Sequence, residues 1–300
     1  MKNKEHHLII SVDLDEWYHA RWATGSKTSR WPDTSSFFNE VYGLYKPRGD
    51  IEKPTMEILE LLNEFNISAT FFILGEVGRF YPQLIKEISQ NGHEIASHGN
   101  RHVDLWTQSR KSFRSELNDA KNLLEDLVGK KLVGYRAPNL IIEDWIVPVL
   151  SELGFEYDSS VCPSRKLMGK FSNTKSLPAY PYFLSKDSFE PGTGPLFEIP
   201  IPVFPYIKLP AATGIMTRVI GAWWTIIALK NALNQNDAIY YFHPYELTRM
   251  PKISALKFIE KIHSRRSGKW MTKAIKKIFV EFKDIPKLTC KQLMDLYKKN

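Results

Sequence analysis

HLIISVDLD, residues 7–15, is an apolar run that ends in two carboxylates. A short run of this kind reads as a buried strand, and its polar end is the C-terminal one. Asp13 and Asp15 lie two apart, so on a regular strand both face the same side. Six further stretches follow the same grammar: ISATFFILG (67–75), HEIASHG (93–99), KLVGYRAP (131–138), EYDSSV (156–161), PLFEIPI (195–201) and DAIYYFHPYEL (237–247). Helical patterns separate the first five strand candidates. KPTMEILELLNEFN (53–66) carries Pro54 near its first turn, and YPQLIKEISQNG (81–92) closes on Gly92 as a C′ cap. SRKSFRSELNDAKNLLEDLVG (109–129) is long and amphipathic, and DWIVPVLSELGF (144–155) precedes the fifth strand.

This alternation predicts parallel strands wrapped by helices, as a barrel or a doubly wound sheet. The polar residues choose between them. Asp13 with Asp15, His98, Arg136, Asp158 and His243 each fall at the C-terminal end of a different strand candidate. A barrel gathers such ends into one mouth, whereas an open sheet leaves its outer strand ends far apart. The expected fold class is therefore α/β, a barrel of about seven parallel strands over residues 1–250. Two regions break the alternation. Residues 20–50 predict a long loop over the mouth, and residues 160–215, dense in Pro, Ser and Tyr, a second irregular insertion.

Composition sets the outer bounds. With 43% hydrophobic and 25% charged residues, the chain is an ordinary globular protein rather than a disordered one. Cys162 and Cys290 form no disulfide framework and no CxxC knuckle, in keeping with a reducing compartment. The N-terminus offers no signal-peptide core of normal length. The apolar run VIGAWWTIIAL (219–229) is about half the ~20 residues of a membrane span. A cytoplasmic protein is expected. Net charge is +8, but residues 251–300 carry 14 Lys+Arg against 4 Asp+Glu, so +10, leaving −2 for the rest. That segment reads as a basic helical extension packed outside the barrel. Its charge is either a solvated face or a surface for anionic lipid headgroups, which would make the protein peripheral at the inner face of the membrane. No aromatic-interleaved basic motif points to nucleic acid.

The chemistry concentrates in EIASHGNRHVDLW (94–106). His98 and His102 stand four apart just after a strand candidate, and Asp13 and Asp15 supply carboxylates at a neighbouring strand end. One carboxylate with two imidazoles and open positions is the ligand set of a catalytic metal site. The other carboxylate is free to act as a base. Singly, each piece has a plainer reading: a solvated Asp pair, two unrelated surface imidazoles, a turn at RAP, a core histidine in YYFHPYE.

In order, SVDLDEW, SHGNRH, RAPN, YDSS and FHPYE resemble the motifs of the polysaccharide deacetylase family, the NodB-homology or carbohydrate esterase 4 group, over roughly residues 8–247. The likeness is greatest to the branch found with bacterial exopolysaccharide and exosortase gene clusters, which KLPAATGIMTRVIGAWWTIIALKNALN (208–234) also resembles. The resemblance implies a distorted (β/α) barrel. It makes Asp13 the general base, and Asp15, His98 and His102 the ligands of one divalent ion, zinc first, with iron, cobalt or nickel as alternatives. It assigns Arg136 to orienting the base, the Asn139 backbone N–H to the oxyanion, His243 to the general acid, and Asp158 to tuning that histidine. Leu14 between the aspartates and Asn139 after Pro138 depart from many relatives, without removing a role.

The implied reaction is hydrolysis of an N-acetyl group from an amino sugar, in a polysaccharide or its lipid- or nucleotide-linked precursor. Trp17 and Tyr18 are the expected sugar-stacking residues, with Trp22 and Trp31 near them. The rivals are a cyclic amide or imide amidohydrolase on the same barrel and a non-catalytic carbohydrate-binding relative.

Overall fold

The computed structural model describes residues 6–165, 174–249, 261 and 265–299. Its strands are β1 (Leu8–Leu14), β2 (Thr70–Ile73), β3 (Glu94–Ser97), β4 (Gly134–Tyr135), β5 (Tyr157–Asp158), β6 (Tyr182–Phe183), β7 (Phe197–Glu198), β8 (Ala238–Phe242) and β9 (Lys287–Leu288). Its α-helices are α1 (Thr34–Phe37), α2 (Glu52–Glu64), α3 (Gly75–Phe80), α4 (Pro82–Gln90), α5 (Arg110–Val128), α6 (Ile146–Glu152), α7 (Gly214–Val219), α8 (Ala222–Leu233), α9 (Lys269–Glu281) and α10 (Cys290–Lys298). The helix ends follow local chemistry. Ser109 caps α5 by accepting the Ser112 N–H, and Gly92 takes a left-handed φ of 82° just beyond α4.

The strands form one curled sheet in the order β6-β7-β5-β4-β3-β2-β1-β8, with β9 added beside β1. Every neighbouring pair is parallel except β6 with β7. The seven strands expected from sequence are all present. β6 lies inside the Pro-, Ser- and Tyr-rich segment and β9 between Pro286 and Thr289, without an apolar run around either, so neither announces itself. The barrel is not closed by regular pairing: β8 does not reach β7. Irregular chain fills that wall, with Thr213 bridging Tyr241 in parallel and the Ala211 N–H donating to the Pro202 carbonyl.

Strand parity divides the core in two. Along β1, Leu8, Ile10, Val12 and Leu14 point outward and pack with α2, α4 and α9. Ile9 points inward, to Phe72, Ala96, Ile239 and Tyr241. Ser11 and Asp13 continue the inward row up to the mouth.

The C-terminal segment corrects its expectation in part. Residues 250–260 and 262–264 lie outside the described residues. Helix α9 packs on the outer layer as anticipated, through Met271, Ile275, Ile278 and Phe279. In contrast, β9 pairs with Leu8 and Ile9 at the start of β1, and α10 inserts Cys290, Leu293 and Met294 into the inner core. Helix α10 therefore plugs the barrel at the end opposite the mouth and is part of it, not an appendage.

The segment before α2 lies against the mouth and carries its own aromatic core of Trp17, Tyr18, Trp31, Phe37, Phe38 and Tyr42. Gly25 (φ 83°) lets it approach: a Cβ there would sit 1.9 Å from the His102 carbonyl oxygen.

Candidate active site

Six residues from four strand ends converge in the mouth. Asp13 ends the inward row of β1, and Asp15 follows it. His98 and His102 follow β3, Arg136 follows β4 and His243 follows β8. Asp13 Oδ1 accepts from Arg136 Nη1 at 2.6 Å, and its Oδ2 lies 4.0 Å from His243 Nε2. The arginine is fully buried. It also donates to Ser11 Oγ, to the Ser159 carbonyl and to Ser159 Oγ, so its orientation is set by groups other than Asp13.

Asp15, His98 and His102 place one donor atom each within 4.8 Å of one another. His98 Nδ1 lies 2.8 Å from the Arg136 carbonyl. A carbonyl only accepts, so Nδ1 carries the proton and Nε2 presents a lone pair. That lone pair faces Asp15 Oδ2 at 3.9 Å, and His102 Nε2 lies 3.1 Å from the same oxygen. Burial, opposed in part by the nearby Asp13 and Asp15 charges, lowers the pKa of His98 and keeps it neutral. Burial disfavours the Asp15 charge, but the neighbouring His102 imidazole overrides it and holds the carboxyl well below its usual range. Among the described residues, Asp15 Oδ1 is buried without a hydrogen-bond partner. The His98 lone pair and the His102 Nε2 position, both set against a buried carboxylate with an orphaned oxygen, fit a divalent cation once His102 Nε2 gives up its proton.

The acid side of the mouth differs from expectation. His243 is partnered by Glu246, not Asp158. Glu246 Oε2 lies 3.4 Å from His243 Nδ1 and accepts the His243 backbone N–H at 2.9 Å. Its other oxygen, Oε1, pairs with Arg218 Nε at 2.8 Å, and both of those side chains are fully buried. Burial disfavours charge on His243, yet the Glu246 carboxylate raises its pKa above the ordinary value. Glu246 itself is held at about 2, burial being overcome by Arg218 and His243. Gly214 makes room for it: a Cβ there would meet Glu246 Oε2 at 1.8 Å.

Strand parity explains the displacement of Asp158. On β5, Tyr157 points into the barrel, and Ser159 serves the inward-facing Arg136. Asp158 and Ser160 therefore point outward. Asp158 accepts from the Ser160 N–H and Oγ and shares a hydrogen bond with Glu198. The two buried carboxyls cannot both ionise, and burial raises both pKa values.

Trp17 and Tyr18 are likewise corrected. They are 2% and 1% exposed, locked in the loop's aromatic core. The Tyr18 hydroxyl donates to Glu16 Oε1 at 2.9 Å. Neither ring is open to a sugar. An aromatic ring that is open beside the His98–His102 loop is Trp106, 45% exposed, which sequence reasoning passed over. Its Nε1 donates to Glu143 Oε1 at 2.9 Å, and the Arg21 guanidinium lies 5.6 Å from its ring. Arg21 also binds Asp104, whose Oδ1 accepts from Asn139 Nδ2 at 3.0 Å. Asn139 sits in a left-handed turn (φ 59°) directly after the Arg136 strand end.

Residues 38–157 match the family model described as Polysaccharide deacetylase, and residues 159–289 match a Domain of unknown function (DUF3473). The chain is 29% identical over 103 residues to the peptidoglycan-N-acetylmuramic acid deacetylase PdaA of Bacillus subtilis, covering 34% of this chain and 39% of that protein. It is 31% identical over 101 residues to a chitooligosaccharide deacetylase of Sinorhizobium fredii, covering 33% and 47%. The chain thus spans less than half the length of these two relatives. The fold matches a crystal structure titled as a polysaccharide deacetylase from Mycobacterium smegmatis, with a TM-score of 0.62, 20% identity, and coverage of 97% of this chain and 90% of that one. On the match of residues 38–157, the chain carries a polysaccharide deacetylase domain, and its barrel has the fold of that solved structure.

Proposed function

We propose that this protein hydrolyses an N-acetyl group from an amino sugar, in an exopolysaccharide or its lipid- or nucleotide-linked precursor, with one divalent ion held by Asp15, His98 and His102. One observation carries the reading: Asp13 stands between a three-ligand cluster and a protonatable histidine, fixed by a buried arginine. An ion bound there would supply Lewis acidity, polarising the amide carbonyl and acidifying water. Zinc is the ion we favour for a mixed carboxylate–imidazole set of this kind.

The chain's own groups do the proton work. Arg136 holds the Asp13 carboxylate aimed through its 2.6 Å hydrogen bond. Asp13 Oδ2 takes a proton from the attacking water as the new C–O bond forms. His243 Nε2 gives its proton to the departing nitrogen as the C–N bond breaks, leaving acetate and a free amine. Glu246, anchored by Arg218, holds His243 in the protonated form and fixes its ring. We assign the Asn139 backbone N–H to the oxyanion and the Trp106 face to stacking on the sugar.

The test is acetate release from a panel of nucleotide sugars, lipid-linked sugars, chitin oligomers and cyclic imides, with elemental analysis of the purified protein. Asp13→Asn should keep its metal and lose about 10²–10⁴-fold in turnover. His98→Ala should lose metal and activity together. Turnover of cyclic imides alone, or full metal occupancy in His98→Ala, refutes the assignment.

A further inference from the structure

The first turns of α8 and α9 border a groove of about 450 Å³, lined by Ile220, Trp223, Trp270, Arg266, Lys273 and Lys277, with no carboxylate among its lining residues. Trp223 is 52% exposed and Trp270 is 37% exposed. On α9, Trp270, Lys273, Ala274 and Lys277 form one helical stripe, while Met271, Ile275 and Ile278 on the other side are buried. Arg266 is pinned beside them, its guanidinium 5.2 Å from the Trp270 ring and donating to the Ile220 carbonyl at 3.2 Å. Among the described residues, neither Lys273 nor Lys277 is in an ion pair, whereas Lys276 on the same helix pairs with Glu64. A neighbouring loop adds an apolar tip. Tyr206 is 99% exposed and Ile207 is 38% exposed, and Phe204 beneath them stacks on Trp224 with ring centroids 3.9 Å apart.

The groove's position follows from topology. Helix α8 leads into β8, which runs toward the mouth, so the first turn of α8 lies at the mouth end. The Gly268 N–H, just before α9, donates to the Glu246 carbonyl at 2.9 Å, tying that end of α9 to the turn that carries His243.

We propose that this face docks on a bilayer surface bearing anionic lipids, with the mouth turned toward the headgroups. Exposed indole and phenol rings favour the depth of the headgroups, and the unpaired lysines complement their charge. The proposal goes beyond the deacetylase reading and is tested without turnover.

The full chain is sedimented with vesicles of phosphatidylcholine containing one third phosphatidylglycerol, with phosphatidylcholine vesicles and soluble polyglutamate as comparisons. Binding should require phosphatidylglycerol and weaken as salt rises. Lys273→Gln/Lys277→Gln should weaken it about 25-fold, at about fivefold per charge, and Trp223→Ala should weaken it while keeping the salt dependence. The urea midpoint of the lysine variant should match that of the parent chain, which shows that it is folded. Absence of vesicle binding, equal binding to neutral vesicles, an unaffected lysine variant, or capture by polyglutamate without vesicle binding each overturns the proposal.

Discussion

Glu246→Gln separates the observed partner of His243 from the one the motif order suggests. The substitution keeps the size of the side chain and an oxygen for the His243 N–H, and removes only the charge. At the 3.4 Å between Glu246 Oε2 and His243 Nδ1, two unit charges in an effective dielectric of about 20 attract by about 5 kcal/mol. A third of that is already about a tenfold change in the protonated fraction of His243. Because Glu246 raises the His243 pKa, its neutralisation moves the alkaline limb of the kcat/KM profile to lower pH. On that limb, activity should fall at least about tenfold. The same change leaves the Arg218 charge buried beside a neutral side chain. Breaking such a pair costs about 3–5 kcal/mol, read as a lower midpoint in urea. Arg218→Met/Glu246→Gln should recover part of that stability and none of the pH profile. Asp158→Asn, on the outer face of β5, should leave the alkaline limb where it is. A limb that moves in Asp158→Asn and stays in Glu246→Gln would refute the parity argument and the assignment of Glu246 together.

Trp17→Ala should cost about 3–5 kcal/mol of stability, whereas Trp106→Ala should leave stability nearly unchanged and raise KM; the reverse pattern in urea titrations and kinetics would return Trp17 to the substrate groove. Leu293→Ala should cost about 2–5 kcal/mol, because α10 plugs the barrel, where a loosely appended helix would give a change too small to measure. Glu198 has a pKa raised by burial and by Asp158, so its protonated form stabilises the fold below the ordinary carboxylate range and that stabilisation is lost as pH rises through the raised value. Glu198→Gln, which can donate to Asp158 and still accept the Val161 N–H, should flatten the decline of unfolding free energy toward alkaline pH; an unchanged slope would argue against a shared proton.

The barrel was legible because its information is repeated. Each long helix carries a 3.6-residue pattern with its own stop signal, such as Gly92 after α4 and Gly129 after α5. β1, β2, β3 and β8 are apolar runs long enough to read. What failed was short or irregular. β9 has two residues and gains its stability from Leu8 and Ile9, 278 and more positions away in sequence. Between β7 and α7 the wall is irregular chain with no strand pattern to read, which is the distortion in an otherwise legible barrel.

The site divides along a sharper line. Asp13, Asp15, His98, His102, Arg136 and His243 were found from strand-end placement, and the structure gathers all six at one mouth. Asp158 also ends a strand, and placement alone admitted it. Parity excludes it, and the evidence was already in YDSS. Tyr157 and Ser159 share one face, Asp158 and Ser160 the other, and only one face of a barrel strand sees the mouth. The replacement was legible too. Glu246 stands three residues after His243, the spacing at which a carboxylate returns to the backbone N–H of a helical turn's first residue, and the structure shows that bond. Once its oxygen is held there, the carboxylate lies beside the imidazole of the same residue. Arg218, 28 positions earlier, has no such local rule. Its pairing with Glu246 depends on the turn between α7 and α8 bringing it under β8, which only the folded chain displays.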